Sequence, residues 1–380
     1  MNESRRPRPV APGRSRLLSD RRTFLSAAGL GVLGLGALSA CGSDDSDTAA
    51  AGSATSGSAT SGSSSGFGEV SLQLSWIKNI EFAGEFYADA KGYYTDAGFS
   101  KVNLLAGGGA TQGAEVLVLS KKADIGLSSP TLTAPAIVNE KAPLKIIGAT
   151  FQKNPFCLVS IEEGKPVRTV ADLAGKKIGI QTGGNETIFD GFCKANDVDQ
   201  STFTIVPVQY DPSVVATGEV DAFMAYLTNE PILLAGQGKT PVTLSFAEQG
   251  LPIVAETYTV LQDTIDNKRD MLKAFLKAEI QGWNDAVLDS AQAAKYAVET
   301  YGPQDGSLEL EEQAKEADAQ TLLIVSDDTK ANGLFTMTDA LVQENLDALK
   351  VMGVEITAEE LFDLRLLEEV YKENPDLIKS

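Results

Sequence analysis

The sequence predicts an α/β protein of two similar lobes followed by a helical C-terminal region. Two observations carry this expectation. The order strand, helix, strand, helix, strand occurs twice, once over residues 70–127 and again over 177–226. Two long apolar segments, 144–161 and 253–261, flank the second occurrence and read as crossings between the lobes. A third observation concerns location: an apolar run at 24–37 directly follows Arg21-Arg22-Thr23.

That run closes on Leu38-Ser39-Ala40-Cys41. A basic start, an apolar stretch and small residues before a cleavage point together make an export signal. Arg21-Arg22 within Asp20-Arg21-Arg22-Thr23-Phe24-Leu25 resembles a twin-arginine signal. Cys41 at the cleavage point resembles a bacterial lipobox, whose cysteine is lipidated and becomes the new N-terminus. An uncleaved membrane anchor is the alternative, but the run falls short of the roughly 20 residues a spanning helix needs. Residues 1–40 are therefore expected to be a signal peptide, and Cys41 the lipidated residue. The segment 41–68, almost all Ser, Gly, Ala, Thr and Asp after Cys41, cannot bury a core and reads as a flexible linker. At about 5–6 Å times the square root of its length, it would hold a folded part roughly 30 Å from its anchor. The expected location is the outer face of the cell membrane.

Composition narrows the work. The chain has 32 basic and 52 acidic residues. Removing the signal, which holds seven arginines and the acids Glu3 and Asp20, leaves 25 basic against 50 acidic. Such a surface repels nucleic acid and anionic lipid, so no nucleic-acid partner is expected. Histidine is absent, which removes the usual general base and the commonest zinc ligand. Arg168, Arg269 and Arg365 are the arginines left beyond the signal, too few to clamp a dianion with several guanidinium groups. Cys157 and Cys193 can either pair or stand as separate buried thiols; spacing leaves both readings open.

The elements follow in order. Residues 70–76 alternate as a strand, and 80–90 carry Phe82, Phe86, Tyr87 and Ala90 on one helical face. A strand at 101–105 leads to Gly107-Gly108-Gly109, a helix at 111–121, and a strand at 123–127 that ends in Ser128-Ser129-Pro130. In the second half, a strand at 177–181 ends in Thr182-Gly183-Gly184-Asn185 and a helix spans 186–195. A strand at 203–208 then ends in Gln209-Tyr210-Asp211, and Asp211-Pro212 starts a helix through 217. A strand at 220–226 ends in Thr228-Asn229-Glu230-Pro231. Each half should form a mostly parallel sheet with helices on both faces. The segment 144–161 breaks at Asn154-Pro155. The rest reads as helices at 268–288, 290–301, 309–326, 336–349 and 357–371, with the first lobe as their host. Lobe 1 is thus expected to be 69–155 plus 256–380, and lobe 2 to be 156–255.

In open α/β sheets a ligand sits beyond the carboxyl ends of the strands. Here those ends carry Trp76, Gly108, Ser128 and Ser129 from one half. The other half brings Gly183, Gly184, Asn185, Tyr210, Tyr226, Asn229 and Glu230. Glycines let backbone approach a ligand, and free N–H groups at a helix start suit an oxygen or anion. Each residue also has a plainer role: glycines in turns, Trp76 in the core, Glu230 in a solvated turn, Glu186 complementing a helix dipole. Their recurrence at matched strand ends favours a cleft that traps a solute between closing lobes.

Ser71-Leu72-Gln73-Leu74-Ser75-Trp76, then Glu81-Phe82-Ala83-Gly84-Glu85-Phe86-Tyr87-Ala88, then Lys91-Gly92-Tyr93-Tyr94 and Gly98-Phe99, resemble the opening of a known family. It is the thiamine-pyrimidine-synthase-like family of ABC-transporter substrate-binding lipoproteins, related to sulfonate and nitrate binders. Thr228-Asn229-Glu230-Pro231 resembles a second family signature. The resemblance spans about 70–377. It implies a type II periplasmic-binding-protein fold, with two mixed-sheet lobes joined by two crossing segments. It also implies capture of a small aromatic heterocycle, of thiamine-precursor pyrimidine or flavin type, by a monomer serving an ABC permease and its ATPase. Trp76 would stack on the ring, with Asn79, Glu81 and Phe82 beside it and Asn185 and Glu230 reaching from the other lobe. An alkanesulfonate, nitrate or a similar small anion is the alternative, since a helix start can hold one without arginine. Pyrimidine synthases of this fold use an internal histidine with pyridoxal phosphate. This chain has no histidine, so no catalytic residue, cofactor or metal is expected. A signalling or adhesion lipoprotein is a further class that the fold alone leaves open.

Overall fold

The computed structural model describes residues 66–108, 112–304 and 306–379. The expected signal peptide, the lipidation site Cys41, most of the linker and Gly109 lie outside the described residues.

Among the described residues, ten strands divide into two five-stranded sheets. The first holds β1 (Gly68–Gln73), β2 (Phe99–Leu105), β3 (Ile125–Ser128), β4 (Leu144–Phe151) and β10 (Ala255–Leu261), in the order β2-β1-β3-β10-β4. The second holds β5 (Phe156–Ile161), β6 (Lys177–Gln181), β7 (Thr204–Val208), β8 (Ala222–Tyr226) and β9 (Pro241–Ser245), in the order β7-β6-β8-β5-β9. The two orders follow one plan. β2, β1 and β3 are parallel, as are β7, β6 and β8. The fourth place goes to a strand antiparallel to both neighbours, β10 in one sheet and β5 in the other.

The sheets are therefore mixed, as the family resemblance implied, while the three strands of each repeated unit run parallel, as their order implied. The cause lies in the crossings. A strand arriving from the opposite lobe enters at the carboxyl ends of the parallel set and must run away from them. The apolar segment 144–161 does break at Asn154-Pro155, and its two parts belong to different sheets. Asn154 holds this crossing in place, donating to the Leu251 carbonyl at 2.7 Å and accepting from the Phe156 N–H at 2.9 Å.

Both faces of the second sheet are covered, and its strands show why. Leu158, Ala222 and Met224 enter one apolar cluster, while Cys157, Val159, Phe223 and Ala225 enter another. Alternate residues serve opposite faces, as a pleated strand requires. Cys157 and Cys193 are two free, buried thiols. On the first sheet, helix Arg269–Ala286 packs along helix Ala83–Ala90. The expected face, Leu272, Phe275, Leu276, Ile280 and Trp283, is buried. Glycine sets the approach: a Cβ on Gly282 would lie 2.1 Å from the Gly84 carbonyl oxygen.

Three expectations about helices change. Helix Pro130–Glu140, which was not foreseen, starts with proline in its first turn, a position where the missing N–H costs nothing. Residues 357–371 form two helices, Ala358–Leu361 and Arg365–Glu373. Between them the Asp363 N–H bonds the Ile146 carbonyl and Phe362 bridges to Ile146, so the chain there extends the edge of β4. The first lobe is also not the sole host of the C-terminal helices. Leu349 and Met352, at the end of helix Asp339–Val351, share a cluster with Ile188, Phe189 and Phe192 of the second lobe.

Candidate functional site

A cavity of about 190 Å³ lies between the carboxyl ends of the two sheets. The first lobe builds its wall from two loops drawn close together. The Gly107 N–H donates to the Trp76 carbonyl at 2.8 Å, and a Cβ on Gly107 would meet the Leu74 carbonyl oxygen at 2.3 Å. Only glycine allows that approach. Trp76 and Gly108 thereby face the cavity together. Asn79 caps the turn that follows, its Oδ1 accepting from the Glu81 N–H at 3.0 Å, and both residues line the cavity.

Phe82 does not line the cavity. It is fully buried in the first lobe's core. The 3₁₀ turn Ile80–Phe82 rotates each side chain by about a third of a turn, so Glu81 toward the cavity puts Phe82 toward the sheet. Tyr210 is likewise not a lining residue. Its ring packs edge-to-face on Trp76, with centroids 4.9 Å apart, and links the lobes beside the cavity. The remaining predicted residues, Ser128, Ser129, Gly183, Gly184, Asn185, Tyr226, Asn229 and Glu230, all line it.

Several of these groups are already engaged. Ser128 donates its hydroxyl proton to Glu115, so toward the cavity it offers lone pairs. Ser129 pairs with the Thr131 hydroxyl at 2.5 Å. Helix Gly184–Ala195 begins at the cavity, as expected, yet the Gly183 N–H donates to the Glu186 carboxylate at 3.1 Å. An internal anion thus already complements that helix start. Asn185 donates to Gln181 at 2.9 Å.

The chemistry concentrates in carboxyls. Glu81 from the first lobe, Glu230 from the second and Glu256 at the start of β10 all line the cavity, at 8%, 7% and 3% exposure. No lysine or arginine is among the described lining residues. Glu256 was not foreseen. It accepts from the Ser75 hydroxyl at 2.7 Å and the Tyr226 hydroxyl at 3.2 Å, which joins the two lobes through one side chain. Its φ of 49° is a left-handed conformation, strained for a non-glycine residue and common at functional sites. One signal in the sequence pointed to it: Glu256 is the single acid in the otherwise uncharged strand 253–261. Glu230 accepts the Tyr226 backbone N–H at 2.8 Å. Glu316, on helix Leu310–Ile324, accepts from Asn229 at 2.9 Å just beyond.

Burial governs the protonation of this set. It pushes Glu230 and Glu256 up to about 7. Glu81 is driven well above the usual range, first by burial and then by the charge of Glu256. Glu316 is raised well up by burial, then by Glu230. Like charges this close cannot all ionise, so Glu81 holds its proton beside Glu256. Gln181, Leu132, Phe156 and Met224 also line the cavity and were not foreseen, because strand-interior and helix-interior residues look like core in sequence. No group of His, Cys, Asp or Glu among the described residues is placed to hold a metal ion.

Two mixed sheets of matched order, with a cavity between their carboxyl ends, define a two-lobed protein of the periplasmic-binding-protein fold. The chain belongs to the NMT1/THI5-like family, whose profile matches residues 79–293. It is 24% identical over 273 residues to the riboflavin-binding protein RibY of Chloroflexus aurantiacus, covering 70% of this chain and 75% of that one. In fold it resembles a protein of Bordetella bronchiseptica, with a TM-score of 0.64, 15% identity, and coverage of 81% of this chain and 98% of that one. The periplasmic nitrate-binding protein NrtA of Synechocystis also shares the fold, at a TM-score of 0.56, 13% identity and 82% and 91% coverage. The structures alike in fold are mostly binding proteins, with a desulfurization enzyme among them.

Proposed function

We propose that this chain is the extracytoplasmic solute-binding lipoprotein of an ABC importer, and that it captures a small aromatic heterocycle between its lobes. The observation that carries the reading is the cavity itself: an indole on one wall, hydrogen-bonding carboxyls around it, and no basic side chain among the described lining residues. An aromatic ring gains about 0.5–1.5 kcal/mol from stacking beyond its burial, and carboxyls bond the N–H edge of a heterocycle. Similarity to a riboflavin-binding protein supports the same class. The ligand would be thiamine-precursor pyrimidine or flavin in type.

The anion alternative meets opposition within the site. Glu81, Glu230 and Glu256 face the position a sulfonate or nitrate would take, and the Gly183 N–H is occupied by Glu186. Lobe 1 (69–155 and 256–380) and lobe 2 (156–255) would close on the ligand by rotation about the two crossings. Cys41 would anchor the chain to the outer face of the membrane, near an ABC permease and its ATPase. Among the described residues no helix is long and apolar enough to cross a membrane. The reading assigns the chain no catalysis. Native mass spectrometry of freshly purified protein tests it: one small aromatic molecule should be bound per chain and be recovered unchanged. A bound sulfonate, or conversion of the bound molecule, contradicts the proposal.

A further inference from the structure

We infer that the cleft takes a cation: a ligand whose positive charge is carried on, or directly beside, its aromatic ring, held between Trp76 and the carboxyls Glu81, Glu230 and Glu256. The inference rests on the proposed function and narrows its substrate class.

Three features of the geometry lead to it. First, each lobe and the crossing between them contributes one buried acid to a single cavity, and no base among the described lining residues answers them. Buried acids are ordinarily paired with cations, because an uncompensated buried charge is costly. Second, Glu81 Oε1 is buried and has no hydrogen-bond partner within the protein, although Glu81 lines the cavity. An acceptor in that position suits a donor brought by a ligand. Third, Trp76 faces the same space, and an indole attracts cations by its π electrons while stacking on rings.

Without a cation, protons must do the neutralising. Glu81 faces Glu256, Glu230 and Glu316. Glu256 also meets the Ser75 and Tyr226 hydroxyls, and Glu230 meets the Tyr226 N–H. Glu316 meets Asn229 and Gln313. From beneath, Glu85 feels Glu256, and the Cys157 thiol feels Glu230. The neighbouring Lys78 feels the charge of Asp89 instead. A cation entering this set replaces a proton, which leaves a carboxyl for solvent, so net charge in the cavity is conserved. With Glu230 and Glu256 raised to about 7, the exchange falls near neutral pH. Affinity for the cation should therefore rise as pH rises through about 7.

Calorimetric titration of the purified full chain with three probes of one ring tests this: 1-methylnicotinamide (cation), nicotinamide (neutral) and nicotinate (anion). At about pH 8 the cation should bind at least about tenfold more tightly than either other probe. That advantage should shrink at about pH 6, and buffers of different ionisation enthalpy should report proton release. Glu81→Gln and Glu230→Gln should each lower the cation's advantage several-fold, with thermal melts checking that the variants fold. Equal or tighter binding of nicotinamide or nicotinate overturns the inference, as does no heat from the cation up to roughly 10 mM. Riboflavin and methanesulfonate complete the set. If riboflavin binds while the cation does not, this inference falls and the heterocycle reading stands. If methanesulfonate alone binds, both fall.

Discussion

Glu230 shows how much a single side chain carries here. Its carboxyl is buried, accepts one backbone N–H, and is lifted from an ordinary value of 4.5 to about 7 by loss of water. A raised carboxyl contributes stability that is fully present below its unfolded pKa and is lost as pH rises through its folded one. The ligand-free protein should thus lose stability between about pH 5 and pH 8, on the order of 3 kcal/mol from this residue. Glu230→Gln keeps an acceptor for the Tyr226 N–H and removes the charge. In urea melts the variant should match the native protein near the lower pH and exceed it near the upper one. A gap that does not change with pH would show that Glu230 stays ionised throughout. At this scale the sequence was partly legible. Trp76, Asn229 and Glu230 stood out as polar or aromatic residues at strand ends, and Glu81 through its family motif. Phe82 was misplaced because a neighbour in a motif is not a neighbour in space: one step along a tight turn moved it from cavity to core. Glu256 escaped because its importance comes from Ser75, Tyr226 and Glu81, which are distant in sequence.

Among the elements, helix Arg269–Ala286 was read well from its period, with Phe275, Leu276 and Trp283 buried as expected. What its period could not reveal was the partner. Helix Ala83–Ala90 meets it through Gly84 and Gly282, and a Cβ on Gly84 would fall 2.1 Å from the Trp283 ring. Gly282→Ala should therefore cost about 1–3 kcal/mol by forcing the helices apart, despite alanine's better helix propensity. Urea denaturation measures this, and a stabilised variant would show that the helices can separate cheaply. Elements whose ends are set by distant contacts were less legible. The 357–371 stretch has helical composition, but its middle pairs with Ile146, and this tertiary bond outweighs local preference.

For the whole molecule, the repeated strand-helix order disclosed two sheets, and the matched orders β2-β1-β3-β10-β4 and β7-β6-β8-β5-β9 follow from it. The antiparallel fourth strand of each sheet was legible through the family resemblance and not through the strand-helix order, because direction at a crossing depends on which lobe the chain comes from. The C-terminal helices add a constraint that the lobe division did not anticipate. Helix Leu310–Ile324 bonds the Ile80 backbone through Gln313 and Gln320 and reaches Asn229 through Glu316. The proposed closure of the lobes on a ligand would have to pass through these contacts as well as the crossings. Attachment belongs to this scale too. Cys41→Ser should release the protein from membranes into the soluble fraction; retention would make the 24–37 run itself the anchor.

The proposed function turns on capture of an aromatic heterocycle by Trp76 and the acid-lined cavity. A thermal-shift panel on the purified chain, spanning pyrimidines, flavins, alkanesulfonates and nitrate, tests it most directly. An aromatic heterocycle should raise the melting temperature, and Trp76→Ala should weaken that ligand about tenfold, on the order of 1–3 kcal/mol. Stabilisation by sulfonates or nitrate alone, or a heterocycle shift untouched by Trp76→Ala, would contradict it.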